Sequence, residues 1–164
     1  MNIQLLSVII IGLIAVYFIF VQKRKDDHYF SGPVKFTNKQ LKTLIHYKSI
    51  YQPIPVPNKL ATLAADGWEL EDIAHSATEM IYDEPIPTAA ELASLVKGDR
   101  IKLNFTDQEG YVERMWVEYA GQDGDFHKGL LRNDSFDHEL LKEGKEVYFH
   151  FNHVLLIEGK KSKA

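Results

Sequence analysis

Cysteine is absent from the 164-residue sequence. Its absence excludes disulfide bonds, zinc sites built on thiolates, cysteine nucleophiles and a lipidated cysteine anchor. Acidic residues are missing from the first 25 positions, whereas residues 26–164 hold 16 Lys and Arg against 23 Asp and Glu, a net charge of −7. A body this acidic argues against a general nucleic-acid binder, which needs a basic surface. Its 139 residues suffice for one domain with a hydrophobic core.

The first positions contain instead an uncharged apolar run. Residues 5–21 read LLSVIIIGLIAVYFIFV, and as a helix they span about 25 Å, close to the hydrocarbon thickness of a bilayer. A cleaved signal peptide needs a cation before the run and small residues at its end, but no cation precedes it and residues 17–20 are bulky. A buried core helix needs a polar stripe, which the run lacks. We therefore predict an uncleaved transmembrane anchor, residues 1–25 with the basic flank.

Three cations, Lys23, Arg24 and Lys25, follow the apolar run directly. Because cytoplasmic flanks are enriched in Lys and Arg, they predict a single span with the C-terminal body in the cytoplasm. Residues 26–36 are mostly polar and include Gly32 and Pro33, which is typical of a tether between span and body.

Residues 37–97 predict a small helical region. Two segments, Thr37 to Gln40 and Thr88 to Glu91, match the capping box that opens a helix, and apolar residues at helical spacing follow each. The second of these helices is predicted to continue to Gly98, where a glycine ends it.

Alternating prolines at residues 53–57 separate the two predicted helices. They forbid a helix there and indicate a stiff connection, with a ligand for an aromatic groove as the alternative. Asn58 is predicted to cap a short helix that ends at Gly67. The next apolar residues predict a further amphipathic helical turn: Trp68, Leu70 and Ile73.

After Gly98 the apolar period changes from about 3.6 to 2, which indicates β-strands. Residues 126–131 predict one strand. Three others are predicted with these inward-facing residues: Ile101, Leu103 and Phe105; Met115, Val117 and Tyr119; Val147, Phe149 and Phe151. Short strands with glycine-containing turns favour a strongly bent antiparallel sheet or partly open barrel, so the predicted fold class is α+β.

Four sequence blocks follow one another in the second half: GDRIKLNF at 98–105, ERMWVE at 113–118, GLLRND at 129–134 and LKEGKEVYF at 141–149. Together they resemble the YegJ-like bacterial domain of unknown function (domain-of-unknown-function family 2314), over roughly residues 98–157. That family usually has proline where this chain has Ser135, which loosens a turn, and aspartate where it has Lys145. The resemblance implies a compact α+β domain over residues 98–158, followed by a basic tail at 159–164.

The resemblance implies little about activity, because the family has none established and supplies no catalytic residues. It places the protein in a bacterium, and with the predicted span it indicates the inner membrane. We expect a non-enzymatic module that binds a protein partner. One alternative is an immunity protein, since some related domains neutralise toxins and an acidic body would complement a basic toxin. A second alternative is a hydrolase.

The predicted binding residues are Arg114, Trp116 and Glu118. They alternate with the inward-facing residues of one strand and therefore share its opposite face. A tryptophan with charges at its rim is typical of interfaces. If the helices of residues 37–97 cover that face, Trp116 belongs to the core, and both interpretations stay open.

The hydrolase hypothesis rests on Asp125, His127 and His138. Ser135 lies near acidic residues and His138, but no nucleophile elbow surrounds it. No metal signature is present, and the spacing of the two histidines at the end of the sheet does not aim both rings one way: His150 and His153. The glycines at 121 and 124 lack the frame of a nucleotide loop. We therefore expect no metal, no cofactor and no nucleic-acid partner.

Overall fold

A computed structural model describes residues 36–55 and 59–159. The chain divides into two compact units, Met1–Thr37 and Asn38–Ala164, and nearly all described residues belong to the second. The predicted anchor, its basic flank, nearly all of the tether and most of the basic tail lie outside the described residues. In the part of the chain that is described, no helix is both long and apolar enough to cross a membrane.

Six antiparallel strands form one sheet around a central strand, β2. Their bounds are β1 Trp68–Leu70, β2 Arg100–Asp107, β3 Val112–Asp123, β4 Phe126–Leu131, β5 Glu146–Phe149 and β6 Val154–Ile157. One edge of β2 pairs with β3, which continues to β4 and β5, while its other edge pairs first with β6 and then with β1. The sheet is strongly curled into a half-barrel, which confirms the α+β class and the bent antiparallel sheet.

The curl has a local cause between β3 and β4. The register shifts between Tyr119 and Gly121, which marks a β-bulge, and a bulge increases strand twist. Gly129 lies opposite this irregularity, and a Cβ atom there would sit only 2.7 Å from the Glu118 carbonyl oxygen and even closer to Val117. The two strands therefore approach one another more closely than any side chain at residue 129 allows.

Within residues 36–55 and 59–159, four helices precede the long strands: α1 Asn38–Ile50, α2 Leu63–Asp66, α3 Ile73–Ser76 and α4 Ala89–Ala93. The capping box predicted at Thr88 and Glu91 is confirmed, with both reciprocal hydrogen bonds present. Gly67 ends α2 in the left-handed conformation, at a φ of 77°, as the glycine stop predicts.

The core forms between the inner face of the curled sheet and the segments laid over it. The largest fully buried side chains are Phe149, Ile73, Ile101, Leu103, Met115, Leu131, Leu141, Val117 and Val147. The inward-facing residues predicted for β2 and β3 are all buried. A smaller cluster holds α1 and α3 against β6 and is made of Ile73, Ala77, Ile86 and Leu155, with Tyr47, Tyr82 and Leu156 against it.

Several predicted elements differ from the structure in the first half. Trp68 to Leu70 is a strand and not a helical turn, because it pairs with the last three residues of β2. The helix predicted from Asn58 begins only at Leu63, where the Thr62 hydroxyl accepts a hydrogen bond from the Ala65 N–H.

Two further boundaries differ in the second half. The helix predicted to run to Gly98 ends at Ala93, where the Ser94 hydroxyl donates to the Glu91 carbonyl. The Gly98 N–H already donates to the Tyr119 carbonyl on β3. Phe151 is not in β5 but in a 3₁₀ turn, Phe151–His153, which leads directly into β6. The region predicted to be helical, residues 37–97, thus contains helices α1 to α4 and also strand β1 of the sheet.

Candidate functional site

A cavity of about 250 Å³ lies where the β2–β3 turn meets the loop between β4 and β5. Its floor is formed by the buried side chains of Trp68, Phe105 and Leu141, with the rings of Trp68 and Phe105 5.3 Å apart. Six polar or charged residues line part of the wall: Thr106, Asp107, Glu113, Ser135, Asp137 and His138. A cavity of this size has room for a large apolar side chain, the kind of anchor that dominates protein interfaces.

Three apolar side chains at the cavity mouth face solvent. Phe136 is 96% exposed, Tyr111 68% and Val112 51%, and all three line the cavity. We call these three residues the Phe136 patch. Two exposed aromatic side chains that line one apolar cavity are typical of an interaction site, whereas isolated exposed apolar residues are ordinary.

The backbone that carries Phe136 is held by hydrogen bonds from beneath. The Ser135 hydroxyl donates to Glu113 Oε2 at 2.6 Å, and the Phe136 N–H donates to the same carboxylate at 3.1 Å. The Ser135 hydroxyl also accepts the His138 N–H at 2.8 Å. The Ser135 N–H donates to the carbonyl of Leu141, a core residue. Phe136 is therefore exposed on a loop that is fixed to β3 and to the core.

The cavity wall carries acidic but no basic side chains other than histidine. Asp107 accepts the N–H groups of Glu109 and Tyr111 at 2.9 Å each, which shapes the β2–β3 turn. Glu113 holds the loop, and Asp137 is exposed. Because no Lys or Arg lines the cavity in the described chain, the local charge favours a basic partner.

His138 is the only predicted catalytic residue of the hydrolase hypothesis that lines this cavity. Its Nδ1 atom is buried and has no hydrogen-bond partner among the described residues. Ser135 also lines the cavity, but its hydroxyl donates to Glu113 and contacts the backbone N–H of His138, not the imidazole. The Ser135 hydroxyl and the His138 imidazole therefore do not form the nucleophile–base pair of a serine hydrolase.

His127 lies among other aromatic residues instead. Its ring stacks on Phe151 with the centroids 3.8 Å apart, and its Nδ1 is 3.1 Å from the Tyr119 hydroxyl. Burial, with a smaller contribution from the charge of His150, lowers the pKa of His127 to about 4. The hydrolase hypothesis required His127, His138 and Asp125 around one cavity, and neither Asp125 nor His127 lines the cavity that His138 lines.

Two further histidines, His150 and His153, close the 3₁₀ turn. His153 Nδ1 accepts the His150 N–H at 3.0 Å, and His150 Nδ1 accepts the Asn152 N–H at 3.2 Å. Burial lowers the pKa of His153 to about 4. Within residues 36–55 and 59–159, no group of three or more His, Asp or Glu residues is placed to bind a metal ion.

The predicted binding residues lie together on the outer face of β3, and each has a neighbour. Lys102 Nζ lies over the half-buried ring of Trp116, 4.3 Å from its centroid. Glu118 accepts two hydrogen bonds from Arg132, at 2.6 and 2.9 Å. Arg114 is exposed and borders a shallow cleft with Lys102 and Tyr82. This face is thus partly covered.

A partly buried polar network adjoins that outer face and was not predicted from the sequence. Asn104 Nδ2 donates to Glu71 Oε2 at 2.6 Å, and the Tyr82 hydroxyl donates to Glu71 Oε1 at 2.5 Å. Burial opposes ionisation of Glu71, but the hydrogen bonds outweigh it and lower its pKa. Asn104 lies on the face of β2 opposite the inward-facing residues and is nevertheless buried, with its side chain bonded to Glu71. This network holds the 71–82 segment on β2.

The Phe136 patch was also missed by sequence reasoning. Its only signal was a phenylalanine within the polar run NDSFDHE at 133–139, a setting in which a large aromatic side chain has no neighbours to bury it. The Glu113–Ser135 contact joins residues 22 positions apart and has no local pattern.

The fold and site define a class: an α+β protein built on a curled antiparallel half-barrel, with an apolar cavity and an exposed aromatic patch at one end. Comparison with protein-family models, with curated proteins and with solved structures found no match. The resemblance to YegJ-like domains therefore stays a prediction.

Proposed function

We propose that the protein is a membrane-anchored, non-enzymatic binding module that holds a partner protein at the Phe136 patch. The observation that carries this proposal is the 96% exposure of Phe136 on a loop whose backbone is fixed by Glu113. An exposed aromatic side chain on a fixed loop loses little conformational freedom when a partner covers it. The free energy that comes from removing this phenyl ring from water is gained only when a partner covers it.

The residues that line the cavity indicate which kind of partner segment would fit it. Trp68, Phe105 and Leu141 offer an apolar floor for one inserted side chain. Asp107, Glu113 and Asp137 place negative charge around it, and the body as a whole carries −7 over residues 26–164. The best fit is an apolar or aromatic side chain flanked by Lys or Arg. A basic toxin would present such a segment, so toxin immunity is a special case of this proposal.

The membrane anchor in this proposal rests on residues 5–21 and on the cations at 23–25. It keeps the described body in the cytoplasm, next to the inner membrane. An anchored module would raise the local concentration of its partner at that surface.

Affinity purification from native membranes tests the proposal. Full-length protein and its Phe136→Ala variant are purified in parallel, and co-purified proteins are quantified. Val96→Ala is the matched control, because Val96 is 63% exposed but does not line the cavity. We expect one partner protein to co-purify with the wild type and with the control variant. The amount of that protein should fall at least tenfold with Phe136→Ala. Equal recovery with all three would refute the Phe136 patch as the binding site.

A further inference from the structure

Helix α1 presents a basic surface on an otherwise acidic body. Its sequence, NKQLKTLIHYKSI, contains three lysines and no Asp or Glu. The three lysines, Lys39, Lys42 and Lys48, are exposed, and none forms an ion pair within the described part of the chain. The acid-free composition is local, because residues 26–164 together carry −7.

One face of α1 is fixed to the body. Leu44 is buried, and Tyr47 packs against the cluster that contains Ile73. Just past the helix, the Tyr51 hydroxyl donates to Asp72 Oδ2 at 2.8 Å. These contacts determine which side of the helix faces away from the body.

The outward side combines the lysines with apolar residues. Leu41 and Ile45 lie one turn apart on it, and Ile45 is 60% exposed. Around the helix axis, Lys48 lies on one side of this pair and Lys42 on the other. Apolar side chains flanked by lysines are typical of helices that lie in the interface of an anionic bilayer.

The short segment between the predicted span and α1 favours the membrane surface as the binding partner of this helix face. Only 16 residues separate the end of the predicted span at residue 21 from the start of α1 at Asn38. Fully extended, they reach at most about 55 Å, so an anchored body stays within reach of the bilayer surface. A short tether of this kind raises the effective concentration of α1 at the bilayer surface, so that even a weak helix–lipid contact is populated.

We propose that the outward face of α1, with Leu41, Ile45 and the flanking lysines, lies on the anionic phospholipid surface of the membrane that anchors the chain. This inference rests on the proposed anchor. Contact through α1 would orient the body on the membrane, because anionic headgroups attract the lysines of this helix and repel the acidic surfaces elsewhere on the body.

The absence of cysteine makes a direct test simple. Ile45→Cys in the full-length chain is labelled with an environment-sensitive fluorophore and reconstituted into vesicles of phosphatidylcholine, alone or mixed with anionic phosphatidylglycerol. Val96→Cys, also exposed but outside α1, is the control position. We expect a blue shift and at least threefold less quenching by an aqueous quencher at residue 45 only with anionic lipid. High salt or the double variant Lys42→Gln and Lys48→Gln should abolish both.

Three outcomes would overturn the inference or separate it from the anchor. Equal quenching at residues 45 and 96 in anionic vesicles would refute it. Protection that depends on protein density and not on lipid charge would also refute it, because a second copy would then cover the helix. If the predicted anchor does not span the bilayer, an alkaline wash should release the chain from the vesicles. The dependence of quenching at residue 45 on anionic lipid tests the role of α1 separately.

Discussion

The Ser135 hydroxyl donates a hydrogen bond of 2.6 Å to the Glu113 carboxylate. The contact ties the loop between β4 and β5 to the start of β3, and the same carboxylate accepts the N–H of Phe136. Ser135 is buried, whereas the next side chain is almost fully in solvent. The pair therefore explains how one loop can be fixed and still present an aromatic ring.

Removing Glu113 should release this loop. In Glu113→Ala the buried Ser135 hydroxyl loses its acceptor, and an unsatisfied buried polar group costs about 1–3 kcal/mol of unfolding free energy. Urea unfolding of residues 36–164, which contain the whole compact unit Asn38–Ala164, measures the loss. The double variant with Ser135→Ala should lose less than the sum of the two single variants, because they share one interaction. Additive losses would contradict this account.

Acid should destabilise the protein through its buried histidines. Burial lowers the folded-state pKa of His153 to about 4, against 6.5 for the free side chain. The unfolded chain therefore binds a proton more readily, and stability is lost as pH falls from 6.5 toward 4. For His153 the loss is about 3 kcal/mol at full protonation. Unfolding free energies measured from pH 7.5 to 4.5 test this.

His127 should contribute to the same acid effect, because its pKa is also lowered to about 4 by burial. His127→Phe keeps an aromatic ring against Phe151 but removes the titrating group. We expect lower absolute stability, since the Tyr119 hydroxyl loses its partner, together with a shallower dependence on pH. His46→Phe, on the exposed side of α1, is the matched control. A slope unchanged from wild type in His127→Phe would contradict the assignment.

Gly129→Ala should destabilise the half-barrel strongly. The added Cβ would lie 2.7 Å from the Glu118 carbonyl oxygen, and the β3 backbone cannot yield easily there. Overpacking of this kind costs about 1–3 kcal/mol. Gly144→Ala is the comparison, because a Cβ at Gly144 meets nothing within 4 Å and its cost comes from a φ of 85° alone. Thermal unfolding should rank Gly129→Ala as the less stable variant.

The outer face of β3 offers a competing binding surface. Arg114, Trp116 and Glu118 share that face, but Lys102 covers the indole and Arg132 pairs with Glu118. We expect Trp116→Ala to change partner recovery less than twofold, whereas Phe136→Ala reduces it at least tenfold. The reverse ranking would transfer the binding site to the outer face.

The long strands could be predicted because their signal is local. In residues 101–105 of β2 and 115–119 of β3 every second residue is apolar, and burial follows that alternation for Ile101, Leu103, Met115 and Val117. The strand Trp68–Leu70 could not be predicted this way. It has three residues, and it is a strand only because it pairs with residues 105–107 far along the chain.

The candidate site was less predictable than the fold, for a related reason. Phe136 is exposed because the Glu113 carboxylate, 23 residues away, holds its backbone outward. Asn104 is buried because Glu71, 33 residues away, accepts its hydrogen bond. Such pairings depend on which segments the fold brings together, and periodicity within one segment does not contain that information.

The central claim is that the Phe136 patch contacts a partner protein in the membrane where the chain is anchored. The most direct measurement is photo-crosslinking in living cells, with a photoreactive phenylalanine analogue placed at residue 136 or, as control, at residue 96. The account predicts one discrete crosslinked product from residue 136 and none from residue 96. No product from residue 136, or the same product from both positions, would contradict it.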